Sequence, residues 1–185
     1  RGVILRALPI FRAVAVLTGR RLWERTGRSG GVNGTLVAAL APAGVPFVQQ
    51  TAHRYAALDT LVLLCGRFEG IDERALRAAD ERISTGDYIV TGGEIPAMAV
   101  ADATLRLLPG VLKAGSAEEE SFETGLLEYP QYTQPAELFG QKVPEVLLSG
   151  DHAKVAAWRQ AEAVKATVRF RPDLLEKIDL DPQTR

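Results

Sequence analysis

Thr35-Leu36-Val37-Ala38-Ala39-Leu40, followed by Leu61-Val62-Leu63-Leu64-Cys65, decides the fold class. Each is a short, unbroken apolar run closed by a turn signal, Ala41-Pro42-Ala43-Gly44 after the first and Gly66 after the second. A strand buried on both faces has this pattern, because both rows of its alternating side chains must be apolar. Between the runs, Val48 to Ala57 has helical spacing, and two strands joined by a helix make a β-α-β unit with parallel strands.

Working outward toward the amino terminus, Ile10, Phe11, Val14, Ala15 and Leu17 have helical spacing after Pro9. This helix should fade before Thr26 to Gly34, a Gly-, Ser- and Arg-rich loop expected to be mobile. In the other direction, helical spacing returns from Asp72 to about Ala79, and a strand-like stretch covers Ile83 to Val90. Gly92-Gly93 then leads into an amphipathic helix, Glu94 to Leu107, ended by Pro109-Gly110. The first part of the chain is therefore α/β with a parallel sheet.

Residues 113–122 are small and acidic with no apolar period, as in a linker or a flexible active-site loop. Tyr129 to Pro144 is punctuated by proline and should hold no long regular element. Asp151 then caps a helix whose apolar stripe (Val155, Trp158, Ala161, Ala163, Val164) runs up to Phe170, and Pro172 ends or restarts it. No internal repeat is present.

The 185 residues, 46% hydrophobic, suffice for one domain with a core plus an appendage. Lys and Arg number 22 against 23 Asp and Glu, so net charge argues for neither nucleic acid nor an anionic membrane as partner. The distribution is more informative. Residues 1–30 carry seven arginines and one acid, Glu24, while Lys154, Arg159, Lys165, Arg169 and Arg171 cluster against Glu162. Such blocks suit RNA phosphates, although solvated helix faces have the same composition.

Cys65 is the sole cysteine, which excludes an internal disulfide, and with two histidines a structural metal site is not expected. This cysteine usage fits a reducing, cytoplasmic setting. No apolar run has the length of a membrane span and the amino terminus lacks a signal-peptide pattern, so a soluble protein is expected. Arg1 stands where a natural start would have Met, and the chain is expected to begin inside a longer one.

Ligands of parallel sheets bind beyond the strand ends, where helix N-termini and free backbone groups converge. Three glycine-bearing loops meet this rule: Pro42 to Gly44, Gly66 to Gly70, and Thr85 to Gly93. Taken singly each also reads as a plain turn. None spells GxGxxG or GxxxxGK[ST], which disfavours nicotinamide dinucleotides and nucleoside triphosphates but leaves a nucleoside held by backbone open.

These loops carry longer motifs. Leu64-Cys65-Gly66-Arg67-Phe68-Glu69-Gly70-Ile71-Asp72-Glu73-Arg74, then Ser84-Thr85-Gly86-Asp87-Tyr88 with Gly92-Gly93-Glu94, and later Pro144-Glu145-Val146-Leu147-Leu148-Ser149-Gly150-Asp151-His152-Ala153, resemble the bacterial tRNA (guanine-N1)-methyltransferases of the TrmD type. The resemblance is strong over about 61–160 and looser over 1–60.

It implies an α/β fold of the SPOUT class with a parallel sheet and a deep trefoil knot, an exception to the rarity of knots. The implied organisation is a knotted S-adenosylmethionine-binding domain over 1–112, a flexible linker over 113–131, and a partial helical tRNA-binding domain over 132–185. The family pattern also implies a homodimer with shared active sites, S-adenosyl-L-methionine as cofactor with assistance from Mg2+, and methylation of guanine N1 at position 37, 3′ to the anticodon of tRNA.

Carried over position by position, the cofactor pocket would comprise Leu40 and Pro42, then Gly66, Phe68 and Gly70, then Thr85, Gly86, Asp87, Tyr88, Ile89, Val90, Gly92 and Gly93. Guanine N1 bears a proton that must leave as the methyl arrives, and charge then builds toward O6. Glu120 matches the family's base and Arg106 the arginine that would stabilise O6. A carboxylate on an acidic linker beside an arginine is the pair this chemistry needs, though a solvated Glu run and a helix-surface Arg look alike. Glu69, Asp102, Lys154 and Arg159 are the substrate-binding candidates, Glu69 and Asp102 matching positions near the target base. His152 and Trp158 are read as a capping or packing residue and a core residue, respectively.

The departures are specific. Glu120 stands where the family has aspartate, Phe68 where it usually has tyrosine, and Glu128 and Gln131 alter a common linker sequence. The family pattern also has strands before the position of Arg1 and a tRNA-gripping domain beyond Arg185, so the chain is expected to be shortened at both ends. Two other functions are compatible with these departures: a truncated, catalytically silent knotted module for dimerisation or RNA binding, and a methyltransferase for another RNA position.

Overall fold

The computed structural model describes residues 3–19, 34–113 and 115–177, which divide into two compact units, Arg1–Leu112 and Lys113–Arg185. Most of the glycine- and arginine-rich loop, 26–33, lies outside the described residues.

In the first unit, helix α1 (Ala7–Thr18) precedes strand β1 (Thr35–Pro46), α2 (Gln49–Ala56), β2 (Thr60–Cys65), α3 (Glu73–Ala78), β3 (Glu81–Ser84) and α4 (Glu94–Leu105). The sheet is parallel with order β2-β1-β3. The apolar run of β1 explains its central place. Leu36, Val37, Ala38, Ala39 and Leu40 are all buried, so both faces of the strand are covered. Leu36, Ala38 and Leu40 pack with Tyr55, Ile83 and Val100 into the core, joined by Phe47, Leu58, Leu61 and Leu63.

Helix α2 packs with α4, and α1 with α3. Leu5 runs beside Ile71 as an isolated parallel bridge, its N–H donating to Gly70 O at 2.9 Å. Tyr55 fastens α2 to β3 by donating its hydroxyl to Glu81, which also pairs with Arg54 at 2.9 Å. Burial and the Glu81 carboxylate together push the Tyr55 phenol well above its ordinary ionisation range.

Two expectations of the sequence are corrected in this unit. The first strand does not end at Ala41-Pro42-Ala43-Gly44: both Leu40 and Val45 pair with Ile83, so these four residues form a bulge after which β1 resumes. Pro42 has no N–H to give the ladder, and Gly44 lies so close to β3 that a Cβ there would come within 2.3 Å of the Ile83 carbonyl carbon. The strand read over Ile83 to Val90 is likewise only Glu81–Ser84. It stops because Ser84 Oγ bonds to the Gly86 backbone, accepting from its N–H at 3.2 Å and donating to its carbonyl at 3.1 Å, a local turn that competes with the ladder.

The second unit begins with turns up to residue 127, followed by a two-residue hairpin, β4 (Glu137–Leu138) and β5 (Gln141–Lys142), a short α5 (Glu145–Leu148) and the long α6 (His152–Phe170), closed by a 3-10 turn at Pro172–Lys177. The Asp151 side chain accepts from Lys154 N–H at 3.1 Å, capping α6. Thr167, fully buried on this helix, donates to Ala163 O at 2.8 Å and accepts from Leu127 N–H at 2.9 Å, tying the turns to α6. Helix α5 was not read from the sequence, because four residues are too few to show a period.

A cavity at the strand ends of the first unit

The C-terminal ends of β1, β2 and β3 open onto a cavity of about 520 Å³. All three glycine-bearing segments reach it. Leu40 and Pro42 come from the β1 bulge and Gly66, Phe68 and Gly70 from the loop after β2, while Thr85, Gly86, Tyr88, Ile89, Val90, Gly92 and Gly93 come from the loop after β3. Asp87 is exposed and is not among the lining residues.

Backbone contacts hold the second and third loops together. Gly93 N–H donates to Gly66 O at 2.7 Å, Arg67 and Gly92 form an antiparallel bridge, and the Arg67 guanidinium stands 3.6 Å from the Glu94 carboxylate. Gly93 is indispensable to this closure, since a Cβ there would lie 2.8 Å from Cys65 Cα and 2.9 Å from Gly66 N. Phe68 adopts φ 59°, the left-handed region that bulky residues avoid, in a turn that Gly70 closes by donating to Arg67 O at 3.1 Å. The residue is 67% exposed, so the strained backbone holds Phe68 out at the mouth rather than in the core.

The cavity also has a charged wall that the sequence reading did not single out. Glu73 accepts from Arg82 at 2.9 Å and from Arg77 at 3.2 Å, and these hydrogen bonds hold its carboxyl below the ordinary glutamate range. Glu73 and Arg82 both line the cavity. They lie nine residues apart on different elements, so only the tertiary fold brings them together.

Of the substrate-binding candidates, Glu69 is exposed at the cavity wall and Asp102 is exposed on α4, one turn before Arg106. Arg106 caps the C-terminal end of α4, its N–H donating to Asp102 O at 3.1 Å. Glu120 lies in the second unit, partly buried in a turn where its N–H donates to Ala117 O. Lys154 pairs with Asp151 at 3.0 Å, and Arg159 pairs with Glu119 at 3.5 Å while lying 4.7 Å over the Tyr129 ring. Trp158 is only half-buried rather than sealed in a core.

The chain matches the family described as tRNA (Guanine-1)-methyltransferase TrmD over residues 1–177. A tRNA (guanine-N(1)-)-methyltransferase of Lactobacillus delbrueckii subsp. bulgaricus is 56% identical over 183 residues, 98% of this chain and 69% of that protein. The chain belongs to this methyltransferase family. Its similarity extends to a tRNA (guanine-N(1)-)-methyltransferase of Desulforudis audaxviator, 48% identical over 185 residues, all of this chain and 70% of the relative. The like-named protein of Brevibacillus brevis is 47% identical over 186 aligned positions, covering all of this chain and 72% of its own. Among the described residues no helix is long and apolar enough to cross a membrane.

Proposed function

We propose that this chain binds S-adenosyl-L-methionine in the strand-end cavity and methylates N1 of the guanine 3′ to the anticodon, position 37, of tRNA. The carrying observation is that the three glycine-bearing loops converge on one cavity, whose volume falls within the roughly 300–1,000 Å³ usual for small-molecule sites. Its lining fits a bent nucleoside: apolar Leu40, Ile83 and Pro96, five glycines that leave backbone bare, and the Glu73–Arg82 pair as the charged end.

When bound, the cofactor supplies an electrophilic sulfonium methyl and leaves as the neutral thioether. The protein's part is to orient guanine and manage its proton. Glu120 takes the N1 proton as the N1–methyl bond forms, and the Arg106 guanidinium meets the negative charge that develops on O6. Glu69 and Asp102 hold the base edge, and Lys154 and Arg159 face the RNA. Among the described residues no group of three or more His, Cys, Asp or Glu is placed to hold a metal ion.

The working unit in this proposal is a knotted homodimer of the SPOUT class acting in the cytoplasm. Support for a partner comes from α4, which buries Pro96, Val100 and Thr104 on one side but exposes Ile95, Met98 and Leu105 on the other, with Asp102 among them. A helix apolar on both faces needs a second covering layer. A partner docked on this face would reach Asp102, consistent with a shared site.

The test is calorimetric titration with S-adenosylmethionine together with radiolabelled methyl transfer to unmodified tRNA. Transfer that is lost in Arg106→Ala while cofactor binding persists is the expected result. Binding without any transfer in the parent chain would instead support the silent module, and transfer to a different nucleotide would reassign the substrate position.

A further inference from the structure

The second unit holds a larger cavity, about 850 Å³, walled by the segment 129–136 on one side and by α5 and α6 on the other. Its walls are not those of a collapsed core. Tyr129, Tyr132 and Trp158 line it with three rings, and Trp158 stands tilted against Tyr132 at a centroid distance of 6.3 Å. Gln131, Gln134 and Arg159 supply donors and acceptors among the rings. Within this set the Arg159 Nε atom is buried and has no hydrogen-bond partner among the described residues. That atom is closed off from the cavity, so the rings and the side-chain amides of the lining are what an occupant meets.

The surrounding charges argue against phosphate as the occupant. Lys154, Lys165 and Arg171 are each engaged by a neighbouring acid, Asp151, Glu162 and Asp173, at 3.0, 2.7 and 2.7 Å. Arg159 itself faces Glu119. A flat ligand with a polar edge suits rings and amides better than an anion does. Unstacked nucleobases are such ligands, and proteins hold them between aromatic faces with amides reading their edges.

Resting on the tRNA-methyltransferase reading, we infer that this cavity receives one unpaired base of the RNA, distinct from the guanine that is methylated. The base stacks against Tyr132 and Trp158, and the side-chain amides of Gln131 and Gln134 pair with its edge. The site is a second RNA contact confined to the second unit, so it selects substrate without taking part in methyl transfer.

The chain has two tryptophans, so a Trp23→Phe background leaves Trp158 as sole emitter. This protein is titrated with an end-labelled RNA stem-loop bearing an unpaired loop, reading binding by anisotropy and Trp158 by fluorescence. Parallel loops each carry one abasic nucleotide. The expected result is quenching of Trp158 on binding, abolished by a single abasic position outside the methylated guanine. Tyr132→Leu should raise the KM for tRNA about tenfold, the usual worth of one stacked base, with S-adenosylmethionine affinity and circular dichroism unchanged.

RNA that binds with Trp158 emission untouched, or abasic loops that all bind and quench alike, would overturn the inference while leaving the methyltransferase reading intact. Quenching by added protein without RNA would overturn it in favour of a second copy of the chain in the cavity. No RNA binding by anisotropy would remove the tRNA reading itself.

Discussion

Glu120 carries the sharpest question at the scale of single residues. In the proposed scheme it is one methylene longer than the aspartate that the family resemblance implies, and would have to set its carboxylate at the N1 proton from a different backbone distance. We expect Glu120→Asp to raise kcat several-fold, and Glu120→Gln to lower it by about 10²–10⁴. Equal rates in the parent and the Gln variant, measured by single-turnover methyl transfer, would remove Glu120 as the base. Phe68 was legible as a departure in the motif, but its left-handed φ of 59° was not, because backbone strain is set by the turn it closes. Phe68→Gly should relieve that strain and keep or raise the melting temperature while weakening S-adenosylmethionine binding in calorimetry. A variant that loses stability and keeps cofactor affinity would contradict the assigned role. Asp72 offers a pH test. Hydrogen bonds from the Arg74 side chain and N–H hold its carboxyl at about 2, below the ordinary 3.8. Its contribution to folding is therefore full above the ordinary value and is lost as pH falls through about 2. The melting gap between the parent and Asp72→Asn should be constant from neutral pH to about 4 and close on further acidification, and a gap that persists at pH 2 would rule out the linkage.

Elements were read from the sequence in proportion to their length and period. The helices α2, α4 and α6 and the strand β2 lie where apolar spacing put them, within two residues, because each shows a face to the core over several turns or pleats. The ends of β1 and β3 were misread because local hydrogen bonding decided them. A proline-bearing bulge let β1 continue, and the Ser84 turn stopped β3 early, and neither leaves an apolar period. The loops after β2 and β3 became a cavity wall through one close approach, Gly93 against Cys65 and Gly66. Gly93→Ala should force these backbones apart, costing about 1–3 kcal/mol in denaturant unfolding, and reduce cofactor affinity more than the stability loss accounts for. An Ala variant with unchanged midpoint and affinity would show that the loops tolerate a wider gap.

At the scale of the whole molecule the exposed side of α4 sets the prediction. Ile95 is 67% and Met98 70% exposed, an apolar surface that a monomer has no use for. Met98→Glu should convert a dimer to a monomer in sedimentation and abolish methyl transfer, whereas an unchanged mass would place any partner elsewhere. By itself the sequence determined the α/β class, the buried apolar run of β1, the three glycine-bearing loops and the family, because each is written in contiguous residues whose pattern follows from burial or from backbone need. Only the tertiary structure decided that the three loops share one cavity, that Glu73 and Arg82 form its charged wall, and that Trp158 lines a second cavity rather than a core. The physical reason is the same in each case: these features depend on distances between residues on different elements, which packing and chain closure set and no local period encodes.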